Sequence, residues 1–334
     1  MLKLDEEMVW TKRRIHHLQE MSGLAGKTPG ESVITSMGTT GPPAVERPVF
    51  ILDYLVSDGA QVTRPSIDPY REPIETQIYL ANMQIRISMP VILAITSEVP
   101  KEYIKPFVRA AYNMGILTYL HDVQVEYSEI EDYQDSIITP LEENQQGDYV
   151  AYVGTERKRP DKPLFFRIPS TEDRERIAKA IQSEADAILI DEDLSTNTPL
   201  EVAVSFVDRF LKEYRIEGEP LRSRVGVIAC SSRIRGADDV FKLMGLGADC
   251  VVLSKAALIA TGLTAGKGKH DTEAVQDMLE NFFTALQKEI KLLAGAAGIS
   301  CLYTSLVGSR ELFRAITLDR AIREKLGVKM AGVG

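Results

Sequence analysis

Eight short apolar runs, most of them set apart by helical patterns, constrain this chain more than any other feature. They are PVILAI (90–95), ILTYL (116–120), SIITPL (136–141), YVAYVG (149–154), LFFRI (164–168), AILID (187–191), VGVIA (225–229) and CVVLS (250–254). Between several of them lie stretches whose apolar residues recur at helical spacing: KEYIKPFVRAAYNMG, TEDRERIAKAIQSEA, LEVAVSFVDRFLKEY and GADDVFKLMGLG. Strands that are apolar on both faces and alternate with helices indicate a parallel sheet covered on both sides. Eight in this order predict an α/β fold, a TIM (β/α)8 barrel. A doubly wound sheet is the structural alternative. The third and fourth runs carry the weakest signal, because no clear helix lies between or just after them.

The flanks divide the chain further. Residues 1–89 read as an N-terminal helix and an irregular, proline-punctuated lead-in packed on the barrel. The helix covers 1–22, with Met8, Ile15 and Leu18 on one side. The loop after it contains GKT, but a phosphate-binding loop needs a glycine five positions before Gly26, and Met21 stands there. Residues 90–271 hold the barrel and 272–334 a C-terminal helical extension. Val275, Met278, Leu279, Phe282, Phe283, Leu286, Ile290 and Leu293 form one wide apolar face, closed by Gly295. That face suits the barrel exterior or an interface in a homo-oligomer.

Composition removes whole classes of function. A formal net charge of −9 without a basic stripe argues against nucleic acid or an anionic membrane as partner. No apolar run approaches a membrane span, and the acidic start MLKLDEEMVW is unlike a secretion signal, so a cytoplasmic protein is expected. The three cysteines Cys230, Cys250 and Cys301 form no CxxC pair, and His16, His17, His121 and His270 show no HExxH spacing. The spacing therefore predicts no metal or iron–sulfur site.

In a parallel barrel the chemistry sits where strands end, and phosphate commonly binds after strands seven and eight. The loop after the seventh run, CSSRIRGADDV, offers backbone N–H groups, the hydroxyls of Ser231 and Ser232, and Arg233 or Arg235. The eighth run ends at Ser254-Lys255 and opens directly into a helical pattern. N–H groups at a helix start together with Lys255 favour an anion, while Ser254 can equally serve as helix cap and Lys255 as a solvated lysine.

The segment LRSRVGVIACSSRIRGADDVFKLMGLGADCVVLSKAALIATG (221–262) resembles the FMN-binding domain of glutamate synthase and its stand-alone relatives. PVILAITS (90–97), KPLFFRI (162–168) and ADAILIDEDLSTNTP (185–199) have counterparts there too, and the likeness runs from about Leu52 to the C-terminus. The resemblance implies a barrel that holds the FMN phosphate in the last two loops, at Ser231, Ser232, Arg233, Ser254 and Lys255. The flavin ring would lie over the mouth, facing Thr96 and Ser97. Arg167 stands where the family has a lysine on the fifth strand, and it is the first residue expected to be catalytic, with Asp193 after the sixth strand as the second. A positive charge at the N1–C2 edge favours the reduced flavin. The other reading of Arg167 is a salt bridge to Asp191, Glu192 or Asp193. His121-Asp122 could serve as acid and base, or simply as loop residues. Cys230 reads as a flavin contact or, more simply, a buried small hydrophobe.

The departures from the family pattern are specific. Cys230-Ser231-Ser232 replaces Asp-Gly-Gly after strand seven, Ser254 replaces a glycine, and Leu120-His121-Asp122-Val123 and Glu192-Asp193-Leu194-Ser195 replace glycine-rich loops. The cluster cysteines are missing, so electrons would come from an external donor, such as a reduced nicotinamide, a deazaflavin or a partner protein, for transfer to a small-molecule substrate. The rival reading is a barrel that has lost flavin chemistry and serves as a binding or scaffold subunit, or one that holds another phosphorylated ligand.

Overall fold

The computed structural model describes residues 6–24, 50–140, 147–194, 197–263 and 270–332. The GKT loop lies outside them. The eight apolar runs form β1 (Val91–Ile95), β2 (Leu117–Leu120), β3 (Ile137–Pro140), β4 (Ala151–Gly154), β5 (Leu164–Pro169), β6 (Ala187–Asp191), β7 (Gly226–Cys230) and β8 (Cys250–Leu253). They close into one parallel barrel, each strand paired with its sequence neighbours and β8 paired back to β1. β1, β2, β6 and β8 are buried at every position, as expected where side chains fill the interior and helices cover the outside.

The covering helices are α1 (Lys12–Gly23), α2 (Ile104–Asn113), α3 (Arg174–Gln182), α4 (Leu200–Glu213), α5 (Ala237–Leu246), α6 (Lys255–Ala260) and α7 (Thr272–Ala296). Between β2 and β3 stands only a single turn of α-helix and a 3-10 segment. Among the described residues no helix joins β3 to β4 or β4 to β5, which is why those runs gave the weakest periodicity.

Two details differ from the sequence expectation. The first helix is broken: Glu6–Val9 is separate from α1, which Thr11 caps by accepting from the Arg14 N–H, and Met8 is exposed rather than packed. Gly295 does not close α7, which runs one residue past it. Its role is close approach, since a Cβ there would overlap the carbonyl of Ile67, whose N–H donates to the Gly295 carbonyl at 2.9 Å.

α7 packs across α1, α2 and α5 on the barrel exterior. Buried His17 meets Glu289 at 2.8 Å, tying α1 to α7. The extensions also meet each other. Leu55–Ser57 pairs antiparallel with Phe313–Ala315, which pairs with Lys329–Met330, so lead-in and tail share one small sheet outside the barrel. Among the described residues no helix is long and apolar enough to cross a membrane.

Candidate functional site

The C-terminal ends of β2, β5, β6 and β7 bring one compact polar cluster to the barrel mouth. Arg167, four residues into β5, is its centre. Its Nε and Nη2 reach Asp191 Oδ2 at 2.8 and 2.6 Å. Nη1 and Nη2 donate to the two carboxylate oxygens of Asp122, both at 2.9 Å, as a bidentate fork. Nη2 also lies 2.8 Å from Nε2 of His121, and that same nitrogen lies 3.0 Å from Asp191 Oδ2. Asp191 is wholly buried and His121 mostly so, while Asp122 is 58% exposed at the rim.

The cluster fixes its own charges. The Asp122 carboxyl is held below its usual range chiefly by its hydrogen bonds to Arg167. Burial would raise Asp191, but the His121 hydrogen bond and the Arg167 charge outweigh it and hold the carboxyl low. Arg167 is likewise partly desolvated, yet its carboxylate partners keep it firmly cationic. Beneath the cluster Tyr119 is fully buried with its hydroxyl unpartnered, and burial pushes that phenol well up. Its ring meets His121 edge-on at 5.1 Å. Cys230, the cross-strand partner of Asp191, is buried and its thiol raised for the same reason.

A second cluster joins the loops after β6 and β7. Ser231 Oγ donates to Glu192 at 2.8 Å, and Arg233 forks onto the same carboxylate. The Ser232 N–H and hydroxyl donate to Asp193 at 2.9 and 3.0 Å. Burial raises the Asp193 carboxyl despite those bonds. Next to Glu192 lies Glu201, near the start of α4, whose carboxyl is pushed up to about 7 by burial and by the Glu192 charge.

The residues expected from sequence therefore fall into distinct places. Arg167 is at the mouth, salt-bridged to Asp191 and not to Glu192 or Asp193. Asp193 is bound to Ser232 and stands apart from the Arg167 fork. Ser231, Ser232 and Arg233 face two carboxylates, so they are not an open anion cradle. Arg235 leaves the mouth altogether and is buried between Asp53 and Asp239. Thr96 makes a turn at the end of β1, its hydroxyl accepting from the Glu98 N–H, and Ser97 is exposed. Ser254 occupies the N-cap position of α6 without a side-chain capping bond, and burial lowers Lys255. Sequence spacing gave no hint that His121, Asp191 and Cys230 converge. The available signal was that β6 and β7 end in Asp191 and Cys230 and that His121 directly follows β2, just where barrel chemistry is sited.

The chain matches the family described as the glutamate synthase central domain over residues 9–85 and 171–319, more than half of its length. An archaeal glutamate synthase (NADPH) of Methanocaldococcus jannaschii is 34% identical over 203 residues, covering 51% of this chain and 38% of that protein. The matched stretch thus spans well under half the length of that relative. An archaeal-type glutamate synthase (NADPH) of Thermotoga maritima is 24% identical over 424 aligned residues, covering 91% of this chain and 81% of that protein. Among solved structures, the flavin-binding domain of baker's yeast flavocytochrome b2 aligns with a TM-score of 0.60 at 12% identity, over 97% of this chain and 94% of that one. A mandelate oxidase carrying an FMN adduct aligns with a TM-score of 0.57 at 14% identity, over 79% and 89%. At such identities the structural likeness speaks to the fold alone.

Proposed function

Because the chain belongs to the glutamate synthase family, we propose that it is an FMN-dependent oxidoreductase barrel acting on a small molecule at the mouth. The observation that carries this reading is the family match laid on a closed barrel with a fixed cation, Arg167, at its catalytic end. The mouth offers a flavin ring the permanent guanidinium charge of Arg167. Lys255 and Ser254 would hold the phosphate. Ser231, Ser232 and Arg233 could join them only by releasing Asp193 and Glu192.

FMN, when bound, supplies two-electron transfer. The chain's own residues would do the rest. Arg167 orients an electron-rich edge but cannot take a proton. His121, hydrogen-bonded to buried Asp191, is the group able to hold or move one. With three scattered cysteines the electron donor would lie outside the chain, as a small reductant or a partner protein. A cytoplasmic location and self-association through the exterior helices belong to the same reading.

A second reading is a barrel retained as a binding or scaffold subunit without flavin. The observation favouring it is that Glu192 and Asp193 occupy the donors of the β7 loop. An absorption spectrum of the purified protein decides. Flavin bands at about one per chain, or uptake of added FMN, support the first reading. A colourless protein that takes up no FMN overturns the first reading and favours the second.

A further inference from the structure

We propose that His121, Asp191 and Cys230 form a mononuclear binding site for a thiophilic divalent metal, zinc above others, at the mouth of the barrel. A ring nitrogen of His121, a carboxylate oxygen of Asp191 and the Cys230 sulfur all lie within 4.8 Å of one another. They come from three strand ends, so the barrel itself sets their spacing: Asp191 and Cys230 are register partners on β6 and β7, and His121 directly follows β2, its N–H donating to the Ile95 carbonyl at 2.9 Å. Imidazole, carboxylate and thiolate together are a zinc donor set, and three protein ligands leave a fourth position for water or substrate.

Three features point to a ligand rather than to packing. The contacts at His121 Nε2 are mutually opposed. That nitrogen cannot both donate to Asp191 Oδ2 at 3.0 Å and accept from Arg167 Nη2 at 2.8 Å. Whichever tautomer is present, one contact is adverse, and a cation taking the lone pairs of Nε2 and Oδ2 removes the conflict. Second, Asp191 is already oriented: its other oxygen, Oδ1, accepts from the Asp193 N–H at 3.0 Å, leaving Oδ2 turned to the cluster. Third, the Tyr119 hydroxyl is fully buried beside the three ligands and has no hydrogen-bond partner, as a group awaiting a metal-bound water would be.

Arg167 is the cation that now neutralises the pair, and it has somewhere to go. Its fork already holds both oxygens of the exposed Asp122, so moving outward exchanges one cation for another without stranding the guanidinium. Asp122 and the partly exposed His121 stand at that same rim. On binding, the Cys230 S–H proton leaves to solvent and the sulfur ligates as thiolate. No oxidation state changes.

The test is cobalt and zinc titration of the full-length protein after chelation of adventitious metal. Co2+ should bind at one ion per chain, with a sulfur-to-cobalt charge-transfer band and the red ligand-field bands of a tetrahedral site, and Zn2+ should displace it. The red bands are clear of flavin absorption, and the charge-transfer band is read as the difference against the same protein before cobalt is added, so both readouts stand whether or not the protein carries flavin. Cys230→Ser should abolish the charge-transfer band, and His121→Ala should weaken binding at least tenfold. Cys301→Ser should leave both intact. Arg167→Met, which removes the competing cation, should tighten Co2+ at least tenfold. Circular dichroism of each variant excludes loss of fold. Absence of stoichiometric cobalt binding, a thiolate band that survives Cys230→Ser, or an Arg167→Met protein that binds no more tightly would each overturn the site.

Discussion

Two buried aspartates anchor two arginine clusters in this molecule, and they differ in what their arginines do with the remaining donors. Asp208, on α4, holds Arg222 and Arg310 at 2.8 Å and Lys212 at 2.9 Å. Arg222 also donates to the carbonyls of Val225 and Gly247, and Arg310 to those of Ser205, Gly308 and Leu246. The cluster sews α4, the approach to β7 and the C-terminal tail together, and its remaining donors end on backbone carbonyls, on the Ser205 hydroxyl and on a second buried carboxylate, Asp249, at 2.9 Å. Asp191 is buried to the same degree, yet its Arg167 bonds no carbonyl among the described contacts. Its fork ends on an exposed side chain, next to a histidine, a thiol and an unpartnered phenol. Burial and arginine pairing alone do not separate a staple from a site; the fate of the remaining donors does.

The largest effect should come from breaking the staple. Asp208→Ala leaves the largely buried Arg222 and Arg310, and the half-exposed Lys212, without their shared carboxylate, and should cost about 3–5 kcal/mol of unfolding free energy. Urea denaturation followed by circular dichroism measures it, and a loss below about 1 kcal/mol would remove the contrast with the mouth. Gly247→Ala follows. Gly247 adopts φ +130, a conformation that disfavours side chains, and a Cβ there would overlap the Asp208 side chain. A loss of about 2–3 kcal/mol is expected in the same assay from strain plus overpacking. The turns around Asp191 contain no glycine, so no equivalent substitution exists at the mouth.

The third expectation concerns pH and lies between the two clusters. Glu201 has its carboxyl raised from 4.5 to about 7 by burial and by Glu192. The folded state thus binds the proton more tightly than the unfolded chain does. Its contribution to stability is present in full below pH 4.5 and is lost as pH rises towards 7. Glu201→Gln keeps the shape without the charge. It should be more stable than wild type above pH 7 by on the order of 1–3 kcal/mol, with the gap closing towards pH 4.5. A difference that does not change between pH 4.5 and 8 would contradict this origin.

How much of this was legible in the chain follows from what each feature depends on. The barrel was, because burial on both faces writes an uninterrupted apolar run at each strand, and VILAI or AILID cannot be satisfied otherwise. Arg167 was, because a charge among LFFRI must point to a strand end. Its partner was legible only as one of several nearby acids, since Asp191, Glu192 and Asp193 are consecutive and only the barrel twist decides which one turns inward. The occupancy of Ser231 and Ser232 by carboxylates was not legible. Hydroxyls and N–H groups in a loop look the same whether they await a phosphate or bind Glu192. The meeting of His121, Asp191 and Cys230 was invisible as well, because residues on separate strands, 70 positions apart for His121 and Asp191, share no spacing rule and are joined only by strand register.

The smallest effect on stability, and the sharpest comparison, should come from Asp122→Asn. Asp122 is 58% exposed, and pairs of that kind contribute no more than about 1 kcal/mol. Its backbone sits at φ 54, a conformation asparagine tolerates at least as well, so the substitution adds no strain. Removing its charge frees the outer edge of the Arg167 fork while Asp191 keeps the inner edge. Phenylglyoxal, which attacks exposed guanidinium groups, should then label Arg167 several-fold faster than in wild type. Arg222 and Arg310, whose donors end on Asp208, on Asp249 and on backbone carbonyls, should stay protected in both proteins. Peptide mapping by mass spectrometry reads all three arginines in one experiment. Equal labelling of Arg167 before and after the substitution would mean that its fork is closed by the barrel rather than by Asp122, and that the mouth is a second staple.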